Sequence, residues 1–318
     1  MAKYDVISYG SGVVDAFLDT GAKEKNKVLS FPAGIKIQIK KIVFSVGGGG
    51  TNSATSFSRL GFKTGFLGKI GQGYNGNIIL RELKKDRVDF VGVRGKEHTG
   101  YSIILEGDRK HRVVLTYKGA SDALKFSEIN LKKLNTKWFY FTSMGGDSFE
   151  TQKKLAVFAK KHNINVAYNP SSYHTKYGPG YLSAILKNTD VLSLNKEEAE
   201  MLVKKGNLFK GLRKLGPKII SITNGEKEGW IYDGNFLYSY LPHKVHVKEP
   251  TGAGDAFGST FVAGLAKTNN IGKALKFAIS NAESVVQSRG AHAGLLKWSE
   301  LEKIVKRNKF KIKKEILV

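Results

Sequence analysis

Glu249-Pro250-Thr251-Gly252-Ala253-Gly254-Asp255 runs directly into the small, apolar segment Ala256-Phe257-Gly258-Ser259-Thr260-Phe261-Val262-Ala263-Gly264-Leu265. Gly252, Ala253 and Gly254 carry little or no side chain, so their backbone N–H groups can converge at a helix N-terminus, where the macrodipole also favours negative charge. A carboxylate at Asp255, inside a cradle suited to phosphate, makes sense where the carboxylate handles a proton while the N–H groups hold developing negative charge. The pairing points to phosphoryl transfer. Taken by itself, the stretch also fits a glycine-rich turn with Asp255 as an ordinary first-turn helix acid.

A second glycine-rich element lies near the other end of the chain. Ser45-Val46-Gly47-Gly48-Gly49-Gly50-Thr51-Asn52-Ser53-Ala54 leads into a predicted helix from Thr51 to Leu60, with Gly61 as its stop signal. Four consecutive glycines let a ligand lie against bare backbone, and Asn52 offers a carbonyl and an amide to the paired hydroxyls of a polyol. A loose loop capped by Thr51 or Asn52 would explain the glycines, but not the matching loop two hundred residues on.

Together these two signatures, Pro250 to Phe257 and Gly47-Gly48 to Asn52-Ser53-Ala54 ending in Arg59-Leu60-Gly61, resemble those of the ribokinase-like (pfkB-type) carbohydrate kinases, which include fructokinases and nucleoside kinases. Between them, Gly68-Lys69-Ile70-Gly71 to Gly76 is similar to the family's strand-turn-helix segment, and Thr99-Gly100 to the start of its lid hairpin. Asn195-Lys196-Glu197-Glu198 is similar to its N-x-x-E motif and Thr223-Asn224-Gly225 to its nucleotide loop. The resemblance covers nearly all 318 residues.

Composition agrees with one enzyme-sized unit, residues 1–318, long enough to bury a large sheet. The absence of cysteine excludes disulfides, thiolate catalysis and cysteine-ligated zinc. The seven histidines show no paired metal-ligand spacing and read as surface or core residues. No apolar run has bilayer length and Met1 to Asp5 leads straight into a strand, so no membrane association and a cytoplasmic location are expected. A net charge of +25 raises nucleic-acid binding as a rival function, but the basic residues are dispersed and form no reader motif, so no specific nucleic-acid partner is expected.

Short apolar runs at Tyr4–Ser8, Thr64–Leu67, Trp138–Thr142, Asn165–Tyr168, Val191–Leu194 and Lys218–Thr223 read as buried strands. Helical patterns at Asn75–Lys85, Phe149–Lys161 and Lys196–Lys204 fall between them. The alternation predicts an α/β fold, a mainly parallel sheet with helices on both faces and ligands at the carboxyl ends of the strands. The lysine-rich tail, with Phe310 and Ile312 between lysines, reads as a half-buried or edge strand. Val28–Phe44 and Tyr101–Tyr117 break the alternation and read as strand-like, the second turning at Glu106-Gly107-Asp108-Arg109. The resemblance implies that residues of about 13–45 and 99–118 form a small β-sheet lid, whose open edge would pair two chains in a homodimer.

The resemblance also implies an ATP- and Mg²⁺-dependent transfer of phosphate to a sugar hydroxyl, with Asp255 as base and Gly252, Ala253 and Gly254 as anion hole. Asp15, Gly47, Gly48, Gly49, Asn52 and Tyr101 would bind the acceptor. Asn195, Thr223, Gly225 and Asn281 would bind the nucleotide, with Asn195 and Glu198 directed to the water shell of Mg²⁺. From the residues alone, Asn195 and Glu198 equally form a helix cap, and Asn281 equally sits on a helix surface. Glu249 stands where the family has an aspartate linked to a monovalent cation, which would be K⁺. Gly49 replaces the lysine usual in ribokinases proper, and Gln72-Gly73 replaces an acid pair. These departures weaken a ribose assignment; the resemblance implies a sugar as acceptor, with nucleoside as the alternative, and Tyr101, Tyr117 and Phe17 could stack on a base or simply form local core.

Overall fold

A computed structural model describes residues 2–26, 28–107 and 112–317. Among these residues the main sheet has ten strands. In spatial order they are Lys311–Ile316, Phe236–Leu241, Gly229–Tyr232, Ile219–Thr223, Val191–Asn195, Asn165–Asn169, Thr136–Thr142, Tyr4–Tyr9, Thr64–Leu67 and Asp89–Phe90. From Ile219–Thr223 to Asp89–Phe90 every pairing is parallel, and the three strands at the other edge are antiparallel.

Parallel strands covered on both faces must be apolar on both, and these are. Ile7, Phe139, Phe141, Val166 and Leu192 face one helical layer, while Val6, Tyr140, Ala167 and Val191 face the other with Phe57, Phe257 and Phe261. The predicted buried strands all form, shifted by no more than two residues at an end. The tail strand Lys311–Ile316 takes the edge position its lysines suit, with Ile312 and the flanking Phe310 and Leu317 packed against core. Among the described residues no helix is long and apolar enough to cross a membrane.

The strand Tyr4–Tyr9 lies between Thr64–Leu67 and Thr136–Thr142, so the order of the chain reverses across it. Such a switch point opens a crevice at the carboxyl ends of the strands. Here the backbones come close: a Cβ on Gly50 would lie 2.6 Å from the Gly10 carbonyl carbon, so no larger residue fits at the start of helix Gly49–Arg59.

A separate four-stranded sheet stands over this crevice, in the order Arg112–Tyr117, Gly100–Gly107, Val13–Ala22 and Lys41–Gly47. The hairpin expected over Tyr101–Tyr117 is present, and its expected turn residues Asp108 and Arg109 lie outside the described residues. The expectation for Val28–Phe44 is corrected. Only Val28–Leu29 and Lys41–Phe44, the start of Lys41–Gly47, are strand, and residues 30–40 have no regular structure. Their alternating Ile35, Ile37 and Ile39 look strand-like in sequence, but they find no partner strand and stay exposed.

Candidate active site

Helix Ala253–Thr268 begins at Gly252, whose left-handed φ of 86° and a 2.6 Å approach of its would-be Cβ to Ala291 Cβ both demand glycine. No side chain caps this helix; the Ala253 N–H donates to the Pro250 carbonyl at 3.3 Å, and those of Gly254 and Asp255 are left for a ligand. Asp255, in the first turn, does not serve as a cap. Its Oδ2 accepts a hydrogen bond of 2.8 Å from Asn52 Nδ2 on helix Gly49–Arg59. The two glycine loops, distant in sequence, thus meet through the side chains singled out in each. Burial pushes the Asp255 carboxyl up to about 6, against the lowering effect of the Asn52 bond.

Both residues line a cleft of about 730 Å³, shared with Asp15, Gly48, Gly49, Gly252 and Gly254. Asp15 sits on the strand Val13–Ala22 in register with Ser45 and Ser102. Its carboxylate fills the space that glycine leaves at position 47, where any Cβ would collide with it. Gly47 therefore backs Asp15 and does not line the cleft. Burial raises the Asp15 carboxyl above its ordinary range, offset in part by a bond from Ser102 and by the charges of Lys118 and Arg112.

Other expected site residues lie elsewhere. Tyr101 packs on the other side of the small sheet with Val14, Val46, Ile70 and Ile79, because successive strand residues alternate faces and it is Ser102 and Ile104 that face the cleft. Tyr117 is exposed outside the cleft, whereas Phe17 lines it. Asn281 is fully buried between helices. Its Nδ2 donates to Thr260 Oγ1 at 2.7 Å and its Oδ1 accepts from the Leu296 N–H at 2.9 Å, so neither end is free for a base.

Thr223 and Gly225 line a second cavity of about 370 Å³ with Ala253, Gly254, Phe257, Ile279 and Val286. It adjoins the first at Gly254 and is mostly apolar, the character of a base site. Asn195 and Glu198 form a reciprocal cap on helix Lys196–Leu202: Asn195 Oδ1 accepts from the Glu198 N–H at 2.8 Å and Glu198 Oε2 from the Asn195 N–H at 3.0 Å. Glu198 nonetheless lines the first cleft, and burial raises its carboxyl despite bonds from the Asn195 and Ser172 backbones.

Glu249 is buried and paired with Arg112 of the small sheet, whose Nη2 donates to Thr251 Oγ1 at 2.6 Å. Although burial alone would raise it, bonds from Thr251 and Arg112 hold its carboxyl below the ordinary range. Arg112, Lys118, Ser143, His174 and His292 escaped sequence reasoning, since each belongs to no motif and is brought to the site by folding alone. Asn169 and Pro170, at the carboxyl end of the strand Asn165–Asn169, also line the cleft.

Among the described residues no three acidic or histidine side chains converge as a metal cage. Mg²⁺ keeps most of its waters and is held chiefly by phosphate with one or two carboxylates, so it needs no such cage. Glu198 presents a carboxylate on the cleft wall.

Comparison with known proteins places these features in a family. The description "pfkB family carbohydrate kinase" matches residues 5–298. An uncharacterized sugar kinase of Archaeoglobus fulgidus is 28% identical over 247 residues, 75% of this chain and 97% of the relative. A cytidine kinase of Thermococcus kodakarensis is 27% identical over 279 residues, 82% and 93% of the two chains. The structure of Arabidopsis thaliana ribokinase complexed with ribose and ATP superposes with a TM-score of 0.84 at 21% identity, covering 97% of this chain and 100% of that one. The fold is thus shared at a sequence identity too low to carry a substrate across.

Proposed function

This chain belongs to the pfkB family of carbohydrate kinases, and from that premise we propose that it transfers the γ-phosphate of ATP to a sugar hydroxyl bound between Asp15, Asn52 and Asp255. One observation carries the reading. Asp255 stands in the first turn of an uncapped helix N-terminus, bonded to Asn52, in the cleft that Asp15 and the glycines of both loops also line. A hydroxyl there would give its proton to Asp255 as it attacks, and the N–H groups left free in the Gly252-Ala253-Gly254-Asp255 turn would hold the transferring oxygens. Asp15 would fix the acceptor by accepting from neighbouring hydroxyls. The base of ATP would occupy the second cavity beside Thr223 and Gly225. Bound Mg²⁺ would supply charge neutralisation at the phosphates, with Glu198 directed to its water shell.

Glu249 is already matched by Arg112, which supports a structural role for this acid over a site for K⁺. The small sheet would serve as a lid, since Asp15, Ser102 and Arg112 line the cleft from it. Its exposed Phe44, Val113 and Leu115, which are not among the cleft-lining residues, support pairing of two chains through that sheet. The need for ATP supports a cytoplasmic location.

A nucleoside is the second reading for the acceptor. The cleft continues past Asp15 to Phe17, Tyr173 and His174, which leaves room for a base. The test is a phosphorylation screen with Mg·ATP against ribose, fructose, other sugars, cytidine and adenosine. Phosphorylation of sugars is expected, transfer to nucleosides alone would replace the first reading by the second, and transfer to none would overturn both.

Glu198→Gln keeps an oxygen for the Asn195 N–H and removes the charge. We expect the Mg²⁺ concentration for half-maximal rate to rise several-fold, while the melting temperature changes by no more than about 2 °C. An unchanged Mg²⁺ titration with clear destabilisation would assign Glu198 to capping alone.

A further inference from the structure

We propose that His292 is a positioning residue for phosphoryl transfer: its Nε2–H locks the Asn52 amide so that the NH₂ group is held toward Asp255. The inference rests on Asp255 being the base. Three segments far apart in the chain make the contact. His292 Nε2 lies 3.0 Å from Asn52 Oδ1, and Asn52 Nδ2 lies 2.8 Å from Asp255 Oδ2.

The direction of these bonds follows from chemistry. An ionised carboxylate only accepts, so the amide must present its NH₂ group to Asp255. Oδ1 then faces His292, and that contact is favourable only when Nε2 carries the proton. A flipped amide would set Oδ1 against the carboxylate and NH₂ against an N–H, losing both bonds at once. Asn52 is only 6% exposed, so water offers little replacement for either.

His292 is itself held. Arg59 Nη1 donates to its carbonyl oxygen at 2.5 Å, while Arg59 Nε pairs with Asp86 at 2.8 Å. Burial pushes the imidazole down to about 4, with Asp86 and Glu82 opposing and Arg59 assisting, so the ring is neutral at physiological pH. Tyr140 lies within range of the Asp255 charge, and burial, with that charge, raises its phenol and keeps it uncharged. Asp15, Arg112, Lys118, Asp122, His174 and Glu198 line the rest of the cleft. Asn52 is thus the neighbour whose bond favours the ionised form of Asp255 against burial.

His292→Phe removes the N–H and keeps a ring; His292→Leu serves the same purpose should the larger ring not fit. His292→Gln retains a donor. The Asp255 carboxyl is titrated by ¹³C NMR in each protein, with Asp255→Asn identifying its signal. Turnover is followed against pH with Mg·ATP and whichever of ribose, fructose, fructose 6-phosphate or cytidine the wild type phosphorylates fastest. In His292→Phe we expect the Asp255 titration and the acid limb of kcat to move up together by about one pH unit. Turnover at pH 7 should fall about twofold from that shift, and about tenfold at pH 5, with acceptor KM little changed, and Gln should restore much of both. An unmoved Asp255 titration, or equal losses in the Phe and Gln variants, would overturn the inference and leave His292 a packing residue. Failure of the underlying reading is seen separately, as turnover that survives in Asp255→Asn.

Discussion

Asp255→Asn is expected to lower turnover by roughly two to four orders of magnitude while nucleotide binding persists. The substitution keeps the size and planarity of the side chain and removes its capacity to take a proton. Loss of rate without loss of ATP affinity is the signature of a group that acts only as the transition state forms. An ordinary helix-end acid would behave differently. Removing it would cost a few tenths to about 1 kcal/mol of stability through the macrodipole and leave chemistry alone. Single-turnover measurement with saturating Mg·ATP separates the two, and near-normal turnover would remove Asp255 from the mechanism.

The pH dependence provides a second arm of that experiment. A base works in its ionised form, so with its carboxyl raised to about 6 by burial, turnover should fall as pH drops through that value. The Asn variant should lack this limb. Stability responds in the opposite sense. The folded-state value lies above the unfolded one, so the contribution of this group is present below the ordinary carboxylate range and is lost as pH rises toward about 6. At neutral pH the Asn variant, which carries no buried charge, should therefore melt no lower than the wild type.

What the sequence revealed, and what it did not, divides along physical lines. The buried strands were legible because their apolar runs are short and are separated by helical periods, a pattern with few other solutions. The glycine loops were legible because close backbone approach admits no other residue, as at Gly50 against Gly10 and Gly252 against Ala291. Residues 30–40 misled for the converse reason: alternation marks a strand only if something pairs with it, and pairing is not local. Tyr101 misled by a single step of register, since Ser102 carries the cleft-facing position. Asn281 had the expected location in its helix but the wrong neighbours, Thr260 and the Leu296 backbone. His292 and Arg112 were invisible because each acts through a partner more than one hundred residues away.

Asp15→Ala should raise the acceptor KM at least tenfold, because losing even one of its two charge-assisted hydrogen bonds, each worth about 1.5 to 3 kcal/mol, costs that much. The geometry explains the size of the effect. Asp15 is partly withdrawn from water in a space that Gly47 keeps open, and Lys118, Arg112 and Ser102 favour its charge without covering the cleft. The carboxylate is therefore already positioned before an acceptor arrives, and little ordering cost offsets the bonds it makes. Asp15→Asn, which keeps one acceptor oxygen, should show a smaller rise than Ala. ATP affinity should hardly change, since the proposed base site beside Thr223 and Gly225 is a different cavity. A protein that worked through its +25 charge on nucleic acid would not register this substitution, and its binding would fall steeply with salt. The decisive pair of measurements is acceptor KM for Asp15→Ala and nucleic-acid binding of the wild type across a salt series. Unchanged acceptor kinetics would remove Asp15 from the acceptor site; sequence-selective binding that survives high salt, with no acceptor phosphorylated, would overturn the proposed chemistry.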